Sequence, residues 1–557
     1  TDIRYLFRVA KTCLMRMLNS RAIRLFTSRR VETVERIIFS SLKSAQPVFG
    51  EYWTSRYAVL GVALVCLLVV VPTAWAESDA QRLESSKGQP LQLRQFLQRM
   101  PKGGDLHNHL SGAVYAESYL RWAAEDGKCI DPSGVITLPP CEPEGEGQAL
   151  REIFAGMTPN GGIESLVDAL SVRNYQRRQV SGHDQFFATF ERFTAATFGR
   201  RGDMVAEVSS RAASQNILYL ELMQSLGMFE VAAYAQTNGD LEASYGARID
   251  HAAVDAIVAD VVLQMDQIDA RRRALQGCDG LSPHRGEGCE VTVRYLSQVI
   301  RTLSPIQVYA QTLLAFKLVA ADDRVVGLNF VAPEDHAVAL RDYEQHMGFI
   351  AEIGSYFPAQ QSGITLHAGE LTLGLVPPEH LGWHIGAAIQ IAGAKRIGHG
   401  IDIAYAPDMD ALLRNMAAKQ ILVEINLTSN EVILEVADAD HPLPVYLRHG
   451  VPVALSTDDE GVSRIDLTHE YQRAVTTYGL DYEVLRGMSR NALQHSFLPG
   501  ERLFQDTLSG RAVDACSTAT LGAEAVPARC AAFLADNPKA SLQWQLETRL
   551  TEFESGF

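Results

Sequence analysis

The sequence predicts an α/β fold, a single (β/α)8 TIM barrel with loop insertions. Three observations predict it: short apolar runs recur along the chain, helical stretches alternate with them, and several runs end in polar side chains. Near-continuous apolar strands that alternate with helices are typical of a parallel sheet covered on both faces. Eight such units favour a closed barrel over an open sheet. The eight runs span 104–109, 217–222, 291–296, 325–331, 364–368, 396–399, 421–426 and 453–457.

Helical stretches separate or follow these runs. A polar helical lead-in spans 80–100, and further helices are expected at 305–320, 337–353, 385–394, 408–419 and 467–478. Two insertions, at 127–162 and 224–289, interrupt the alternation, and both contain cysteine pairs. We therefore expect residues 77–557 to form one barrel domain with two insertions.

The first 76 residues differ from the rest in charge. Residues 1–56 carry eleven basic and four acidic side chains, a net charge of +7, and residues 57–76 carry none. Because the whole chain carries −16, residues 77–557 carry −23. A basic flank, an apolar run and Ala74-Trp75-Ala76 are the parts of a secretory signal peptide. We expect cleavage after Ala76 and export to a periplasmic or extracellular space.

The alternative for this segment is a membrane anchor, because residues 57–76 are just long enough to cross a bilayer. Membrane association is expected only through this leader, if it stays uncleaved. Residues 1–56 precede the usual start of a signal peptide, and we assign them no fold.

Cleavage would leave six cysteines that form three local pairs. Their spacings are 12, 11 and 14 residues, and an exported chain with paired cysteines favours disulfides. A zinc site of four cysteines is the rival interpretation, but the chain contains no C-x-x-C motif. The expected disulfides are Cys129–Cys141, Cys278–Cys289 and Cys516–Cys530.

The acidic body limits the partners of this protein. A nucleic-acid binder needs clustered Lys and Arg, so we expect no nucleic acid as a partner. A small neutral molecule is compatible with this charge. Composition leaves a homodimer open.

Histidines follow several of the apolar runs, where a barrel carries its reactive groups. Strand residues two apart share one face, so His107 and His109 can hold one ion together. His367 is placed to be a third ligand, and Glu370 lies beside it. His399 stands between two glycines at a strand tip. A satisfied core histidine is the alternative for each ring taken alone.

Two adjacent carboxylates close the eighth run. Asp458 and Asp459 follow an apolar strand directly, and buried carboxylates are costly without a cation. A surface turn is the alternative. With Asp458 as fourth ligand, the histidines form a His₃Asp set with a position left for water, the pattern of a catalytic zinc site.

Taken together, these motifs resemble the adenosine deaminase family of metal-dependent amidohydrolases. The resemblance covers about residues 95–500, and the signal peptide and insertions resemble its secreted, deaminase-related growth-factor branch. The matching motifs are PKGGDLHNHLSGA (101–113), LHAGE (366–370), RIGHGI (396–401), EINLTSN (424–430), LSTDD (455–459) and, more weakly, FFATFERF (186–193).

The resemblance implies one Zn²⁺ per chain and a role for each matching residue. The implied zinc ligands are His107, His109, His367 and Asp458. Glu370 would protonate a purine ring nitrogen while the metal-bound hydroxide attacks the carbon that bears the amino group. His399 would orient that hydroxide and help to deprotonate it. Asp459 would hold the imidazole part of the purine, and His109 would also lie against the substrate.

Three positions depart from the family pattern. Ser111 replaces an Asp that contacts the ribose, Ala332 replaces a Gly whose backbone N–H meets the purine, and Asn329 replaces an Asp. None of them removes a metal ligand, so they concern substrate fit.

The resemblance therefore implies hydrolysis of adenosine or 2′-deoxyadenosine to inosine or 2′-deoxyinosine and ammonia. The alternatives are deamination of another 6-aminopurine, hydrolysis of a different amide-like bond on the same metal site, or an extracellular adenosine-binding signalling protein. AMP is disfavoured because no basic loop is dedicated to phosphate.

Overall fold

The computed structural model describes residues 78–141, 147–156, 162–238, 244–279, 286–358 and 363–556. The basic leader at 1–56 and the signal segment at 57–76 lie outside the described residues. Ser78–Phe557 is one structural unit. In the part of the chain that is described, no helix is both long and apolar enough to cross a membrane.

Eight parallel strands form a barrel, and we label them β1 to β8 in chain order. β1 to β4 pair in sequence, and β5 to β8 do the same. All strands except β3 are buried along their whole length, as expected for a sheet covered on both faces. The strands are Gly103–His109, Ile217–Gln224, Thr292–Ile300, Val325–Val331, Thr365–Ala368, Arg396–His399, Leu422–Ile425 and Val453–Leu455.

Two parallel bridges join the four-stranded halves and close the barrel. Leu328 pairs with Ile364 at one seam, and Asn108 pairs with Asp458 at the other. At the second seam the backbone N–H of Asp458 donates to the carbonyl of His107, and the N–H of His109 donates to the carbonyl of Asp458, both at 2.8 Å. Closure of the barrel therefore places Asp458 between two histidines of β1.

Helices surround the barrel and cap its ends. Before β3 they are Asp79–Ser86, Pro90–Arg99, Leu110–Ala113, Ala116–Glu125, Leu150–Ala155, Glu164–Ala169, Gly182–Thr197, Arg201–Ser214, Met228–Asn238, Tyr245–Arg248 and His251–Gln276. After β3 they are Pro305–Ala321, Ala337–Tyr356, His384–Gln390, Met409–Lys419, Leu427–Leu434, Leu443–Arg448, Glu460–Ser463, Leu467–Tyr478, Tyr482–Gln494, Ala528–Asp536 and Pro538–Ser555. Short 3₁₀ helices lie at Tyr175–Arg178, Glu287–Glu290, Pro378–His380, Ile401–Tyr405 and Asp438–Asp440.

The barrel predicted from the sequence is confirmed, and each of the eight runs overlaps a strand. Two helical predictions differ from the structure. The lead-in is two helices rather than one, because Pro90 begins a new helix and has no N–H to continue the first. The helix expected to reach residue 394 ends at Gln390, before Gly393 adopts a left-handed φ of 75°.

The three cysteine pairs are bonded as the spacing predicts: Cys129–Cys141, Cys278–Cys289 and Cys516–Cys530. The first lies beside a small antiparallel sheet of Cys129–Ile130, Ile136–Thr137 and Gln148–Ala149. The second follows the long helix of the second insertion. The third belongs to a separate apolar cluster near the carboxyl end, beside a hairpin of Phe504–Asp506 and Arg511–Ala512.

Candidate metal centre and active site

Three histidines and one aspartate converge at the carboxyl ends of the strands. His107 and His109 lie on β1, His367 lies on β5, and Asp458 follows β8. Nε2 of His367 is 3.1 Å from Nε2 of His107 and 3.2 Å from Nε2 of His109. Oδ1 of Asp458 is 3.2 and 3.3 Å from the same two nitrogens. All four side chains are buried, and together they could hold a metal ion.

The spacing of these four atoms fits a small cation. An ion among four atoms whose neighbouring distances are 3.1–3.3 Å lies about 2 Å from each of them, the length of a zinc–nitrogen bond. Three ring nitrogens and a carboxylate oxygen facing one another would repel without a positive charge between them. The donor set of imidazole and carboxylate is one that zinc accepts.

A buried carboxylate fixes the tautomer of His107. Oε2 of Glu424, on β7, lies 2.6 Å from Nδ1 of His107. The ring therefore donates from Nδ1 and presents the lone pair of Nε2 to the centre. Glu424 also accepts hydrogen bonds from Thr365 at 2.9 Å and Arg396 at 2.5 Å. Arg396 is fully buried and bonds to Glu221 as well, at 2.6 Å, so the charges beneath the metal centre are paired.

Amide side chains hold the other two rings. Oδ1 of Asn329 lies 2.9 Å from Nδ1 of His367 and also accepts the backbone N–H of the same residue at 3.2 Å. The amide of Gln298 lies 2.8 Å from Nδ1 of His109. Turning this amide by 180° places its oxygen against the ring, and that orientation leaves the lone pair of His109 facing the centre. Asn329 stands where the family pattern has an Asp, so the ring of His367 meets a neutral amide oxygen there.

Asp458 is held as a carboxylate. Ser429 donates to Oδ2 at 2.6 Å, which leaves Oδ1 for the centre. Burial opposes its charge, but the imidazole rings of His107 and His109 beside it keep the pKa of Asp458 well below its usual range. Its backbone adopts a left-handed φ of 60°, a strained conformation that is common at functional sites.

Glu370 and His399 stand beside the same aspartate, and one ligand atom from each of the three lies within 4.8 Å of the others. Nε2 of His399 is 3.5 Å from Oε1 of Glu370. Burial and the nearby charge of Asp458 raise the pKa of Glu370 well above its usual range. A raised pKa is what a general acid requires, because the carboxyl must keep its proton until it donates it.

A second buried carboxylate clamps the backbone of Glu370. Glu334 accepts the N–H of Gly369 at 3.0 Å and the N–H of Glu370 at 2.9 Å. Its Oε1 is also 2.5 Å from Nδ1 of His384. Burial opposes ionisation, yet the hydrogen bond with His384 lowers the pKa of Glu334. Glu334 thus fixes the peptide that carries Glu370.

Two glycines leave room for site side chains. A Cβ atom on Gly398 would stand 2.6 Å from Cε1 of His107, and one on Gly112 would stand 1.5 Å from Oδ1 of Asp459. Both distances are far inside van der Waals contact. Asp459 is buried, and its Oδ1 has no hydrogen-bond partner among the described residues.

Part of this chain is similar to a known protein family. Residues 244–505 match the adenosine deaminase protein family. Just under half of the chain is therefore similar to this family. The match contains His367, Glu370, His399 and Asp458, whereas β1 lies outside it and is joined to it by closure of the barrel.

The similar proteins include bacterial and plant proteins. An adenosine deaminase of Escherichia coli O1:K1 / APEC is 38% identical over 177 residues, which are 31% of this chain and 50% of the relative. The chain thus spans about half the length of the curated relatives it matches. The structure of Arabidopsis ADAL complexed with IMP is 19% identical with a TM-score of 0.50, over 82% of this chain and 99% of that one. An adenine deaminase from Arthrobacter aurescens is 17% identical with a TM-score of 0.45, over 71% and 94%. The likeness to ADAL concerns the fold.

The residues predicted to contact substrate lie on the rim of the barrel. Ser111 is half-buried in Leu110–Ala113, the short helix that follows β1. Ala332 follows β4 with a left-handed φ of 83°, which a glycine would adopt without strain. The carbonyl of Ala332 accepts a hydrogen bond from Nε of Arg301 at 2.9 Å.

The weaker motif FFATFERF lies in the helix Gly182–Thr197, which packs against Leu427–Leu434 and Glu460–Ser463, the helices that follow β7 and β8. A Cβ on Gly182 would stand 1.9 Å from the carbonyl oxygen of Val432, so this approach is close. The helix thus covers part of the rim of the barrel.

Sequence reasoning assigned no role to several residues that support the site. They are Glu221, Gln298, Glu334, Arg396, Glu424, Asn430 and His441. The signal was present for some of them: Glu221 and Glu424 interrupt otherwise apolar strands, and a buried charge requires a partner.

Proposed function

We propose that this chain is a zinc-dependent aminohydrolase that converts adenosine or 2′-deoxyadenosine into inosine or 2′-deoxyinosine and ammonia. The observation that carries the proposal is that a buried His₃Asp set and the buried carboxyl of Glu370 share one centre. The metal set alone suits many hydrolases, whereas a carboxyl with a raised pKa beside it suits protonation of a ring nitrogen.

His107, His109, His367 and Asp458 would hold the ion. When bound there, zinc lowers the pKa of a bound water to near 7 and so supplies the nucleophile. Glu424 and Asn329 keep two of the rings in the tautomer that this binding requires, and Gln298 serves the third ring.

Glu370 would donate its proton to the ring nitrogen next to the carbon that bears the amino group. Protonation draws electrons from that carbon, so the water oxygen can add to it and ammonia can later leave. The Glu334 clamp fixes the backbone of Glu370 and leaves only its side chain free to turn. The overall reaction consumes one water and exchanges the amino group for an oxygen.

Asp459, Ser111 and Ala332 would orient the substrate. The unpaired Oδ1 of Asp459 would meet the imidazole part of the purine. Ser111 would face the ribose, and the backbone of Ala332 would meet the six-membered ring. A neutral nucleoside suits a body with 23 more acidic than basic side chains.

We also infer that the mature chain works outside the cytoplasm, as a member of the secreted, deaminase-related growth-factor branch. Three disulfides support this inference, because such bonds persist in oxidising compartments. An intact-mass measurement on exported protein would check it, with Glu77 as the expected first residue. A full-length mass would contradict cleavage.

The catalytic proposal is tested with the purified zinc-loaded chain and a substrate panel of adenosine, 2′-deoxyadenosine, adenine and AMP. Ammonia release and the fall in purine absorbance should be fastest with the two nucleosides. Glu370→Gln should lower kcat by about 10²–10⁴-fold with an unchanged zinc content. Asp335→Asn, on the rim, is the matched carboxylate control and should retain turnover. No change in any of the four compounds would refute the proposal.

A further inference from the structure

A chain of hydrogen bonds runs from a backbone amide to His399. The N–H of Leu443 donates to Nδ1 of His441 at 3.1 Å. Nε2 of His441 is 3.1 Å from Oδ1 of Asn430, and Nδ2 of Asn430 is 2.9 Å from Nδ1 of His399. We name these four residues the tautomer relay. Asn430, His441 and His399 are all almost fully buried.

The direction of each bond in the relay follows from its first member. A backbone N–H can only donate, so Nδ1 of His441 must be the acceptor. The proton of a neutral His441 is then on Nε2, and the ring donates to the oxygen of Asn430. The amide nitrogen of Asn430 therefore donates to Nδ1 of His399.

The opposite orientation of the Asn430 amide is excluded by the same logic. It would place the NH₂ group against the N–H of His441, so that two donors would face each other in a buried site. A charged His441 is excluded as well, because its Nδ1–H would face the N–H of Leu443. Burial, followed by the charge of Arg473, lowers the pKa of His441 to about 3, which agrees with a neutral ring.

The last member of the relay is thus a histidine whose Nδ1 accepts a hydrogen bond. A neutral His399 must carry its proton on Nε2, the atom that points towards Glu370 at 3.5 Å. This Nε2 has no hydrogen-bond partner among the residues that the structure describes. A free N–H in a buried site is a donor that is ready for a ligand atom.

We propose that Asn430 and His441 are positioning residues that hold His399 as a hydrogen-bond donor to the attacking oxygen. This inference rests on the proposed function. The family resemblance implies that His399 orients the hydroxide and helps to deprotonate it. The relay supports the first role without the second and names the two residues that fix it. A nucleophile that ionises near pH 7 needs no side-chain base at neutral pH. A donor fixed at Nε2 instead orients the oxygen so that a lone pair faces the substrate carbon.

The direct test is the tautomer of His399 in the zinc-loaded wild-type chain. Histidine labelled with ¹⁵N distinguishes protonated from unprotonated ring nitrogens by NMR, and the signals of His399 are those that disappear in His399→Gln. We expect Nε2 to be protonated and Nδ1 to be bare. A proton on Nδ1 would overturn the proposal. Because this readout needs no turnover, an inactive chain with the expected tautomer would contradict only the proposed function.

A kinetic test separates a donor from a base. In Asn430→Asp the carboxylate accepts from both rings, so the proton of His399 moves to Nδ1 and Nε2 loses its donor. We expect kcat to fall by about 10²–10³-fold, as when one preorganised donor is removed, with KM changed less than about 3-fold and the zinc content unchanged. A base would gain from an Asp–His pair, so unchanged or increased kcat would overturn the proposal.

Asn426 provides the matched control. Its Nδ2 is 3.5 Å from the same Nδ1 of His399, too long for a strong hydrogen bond. Asn426→Ala should therefore change kcat less than about 3-fold. Equal losses in Asn426→Ala and Asn430→Asp would show a general packing effect and would contradict the relay.

Discussion

Replacing Glu424 by Gln tests how the barrel interior supports the metal centre. Among the groups that hold the three ligand rings, Glu424 is charged, whereas Asn329 and Gln298 are neutral amides. Its carboxylate lies 2.6 Å from Nδ1 of His107. Gln keeps the size of the side chain and one acceptor, but it loses the charge.

The magnitude follows from the kind of hydrogen bond that is lost. A bond to a charged acceptor contributes about 1.5–3 kcal/mol and a neutral one about 0.5–1.5 kcal/mol. The difference of about 1–2 kcal/mol corresponds to roughly a 5–30-fold rise in the Kd for zinc. Losses of about 10–100-fold are usual when a partner of a metal-bound histidine is removed.

The assay is competition for zinc between the protein and a chromogenic chelator. Thr365→Val is the matched control, because Thr365 bonds to the same carboxylate at 2.9 Å but carries no charge. The control should change the Kd less than about 3-fold. Thermal unfolding would show that Glu424→Gln remains folded, since Arg396 keeps its bond to Glu221. An unchanged Kd for zinc in Glu424→Gln would refute the claim that the charge of Glu424 strengthens zinc binding through His107.

Four further predictions concern the rest of the site. Glu334→Gln should lower kcat about 10-fold or more with a nearly unchanged KM, because an amide cannot accept both backbone N–H groups; steady-state kinetics that show only a higher KM would contradict the clamp. Gly398→Ala should leave less than about half the normal zinc content, since its methyl would stand 2.6 Å from the ring of His107. A full zinc content in metal analysis would contradict this prediction. Ala332→Gly should change the free energy of unfolding by less than about 1 kcal/mol, because relief of strain offsets the added chain entropy; a loss above about 2 kcal/mol in denaturant unfolding would contradict the strain. His183 lies 3.2 Å from Asp335, a hydrogen bond that raises the pKa of His183 above its usual value. The pair therefore stabilises the fold below about pH 6.5 and loses this effect as the pH rises through the higher folded pKa. His183→Gln should lower the free energy of unfolding more at about pH 5.5 than at about pH 9. An equal loss at both pH values would count against the pair.

Sequence patterns predicted the barrel because each strand is a local apolar run. The strands β1 to β8 are short and buried, and their hydrophobicity is readable without any knowledge of neighbours. Polar residues at the strand ends also predicted which side chains would meet. His367 and Asp458 could be placed together because parallel strands of a barrel end on one rim.

The support of the site could not be predicted in the same way. Glu424 and His107 are 317 residues apart, and only the closed barrel shows that they touch. Asn430 and His441 lie close in sequence, but the direction of their hydrogen bond depends on the backbone amide of Leu443, the first residue of a helix. Such pairings depend on three-dimensional register, which a single sequence does not encode in local patterns.

The most direct test of the central claim is a zinc titration of metal-free protein. The mature chain, stripped with a chelator, is mixed with adenosine, and ammonia release is followed as zinc is added. We predict no release at the start, a linear rise, and a break at one zinc per chain, with His367→Ala remaining inactive throughout. Full deamination by the metal-free chain, or no deamination of any 6-aminopurine at saturating zinc, would contradict the claim that this His₃Asp centre drives the reaction.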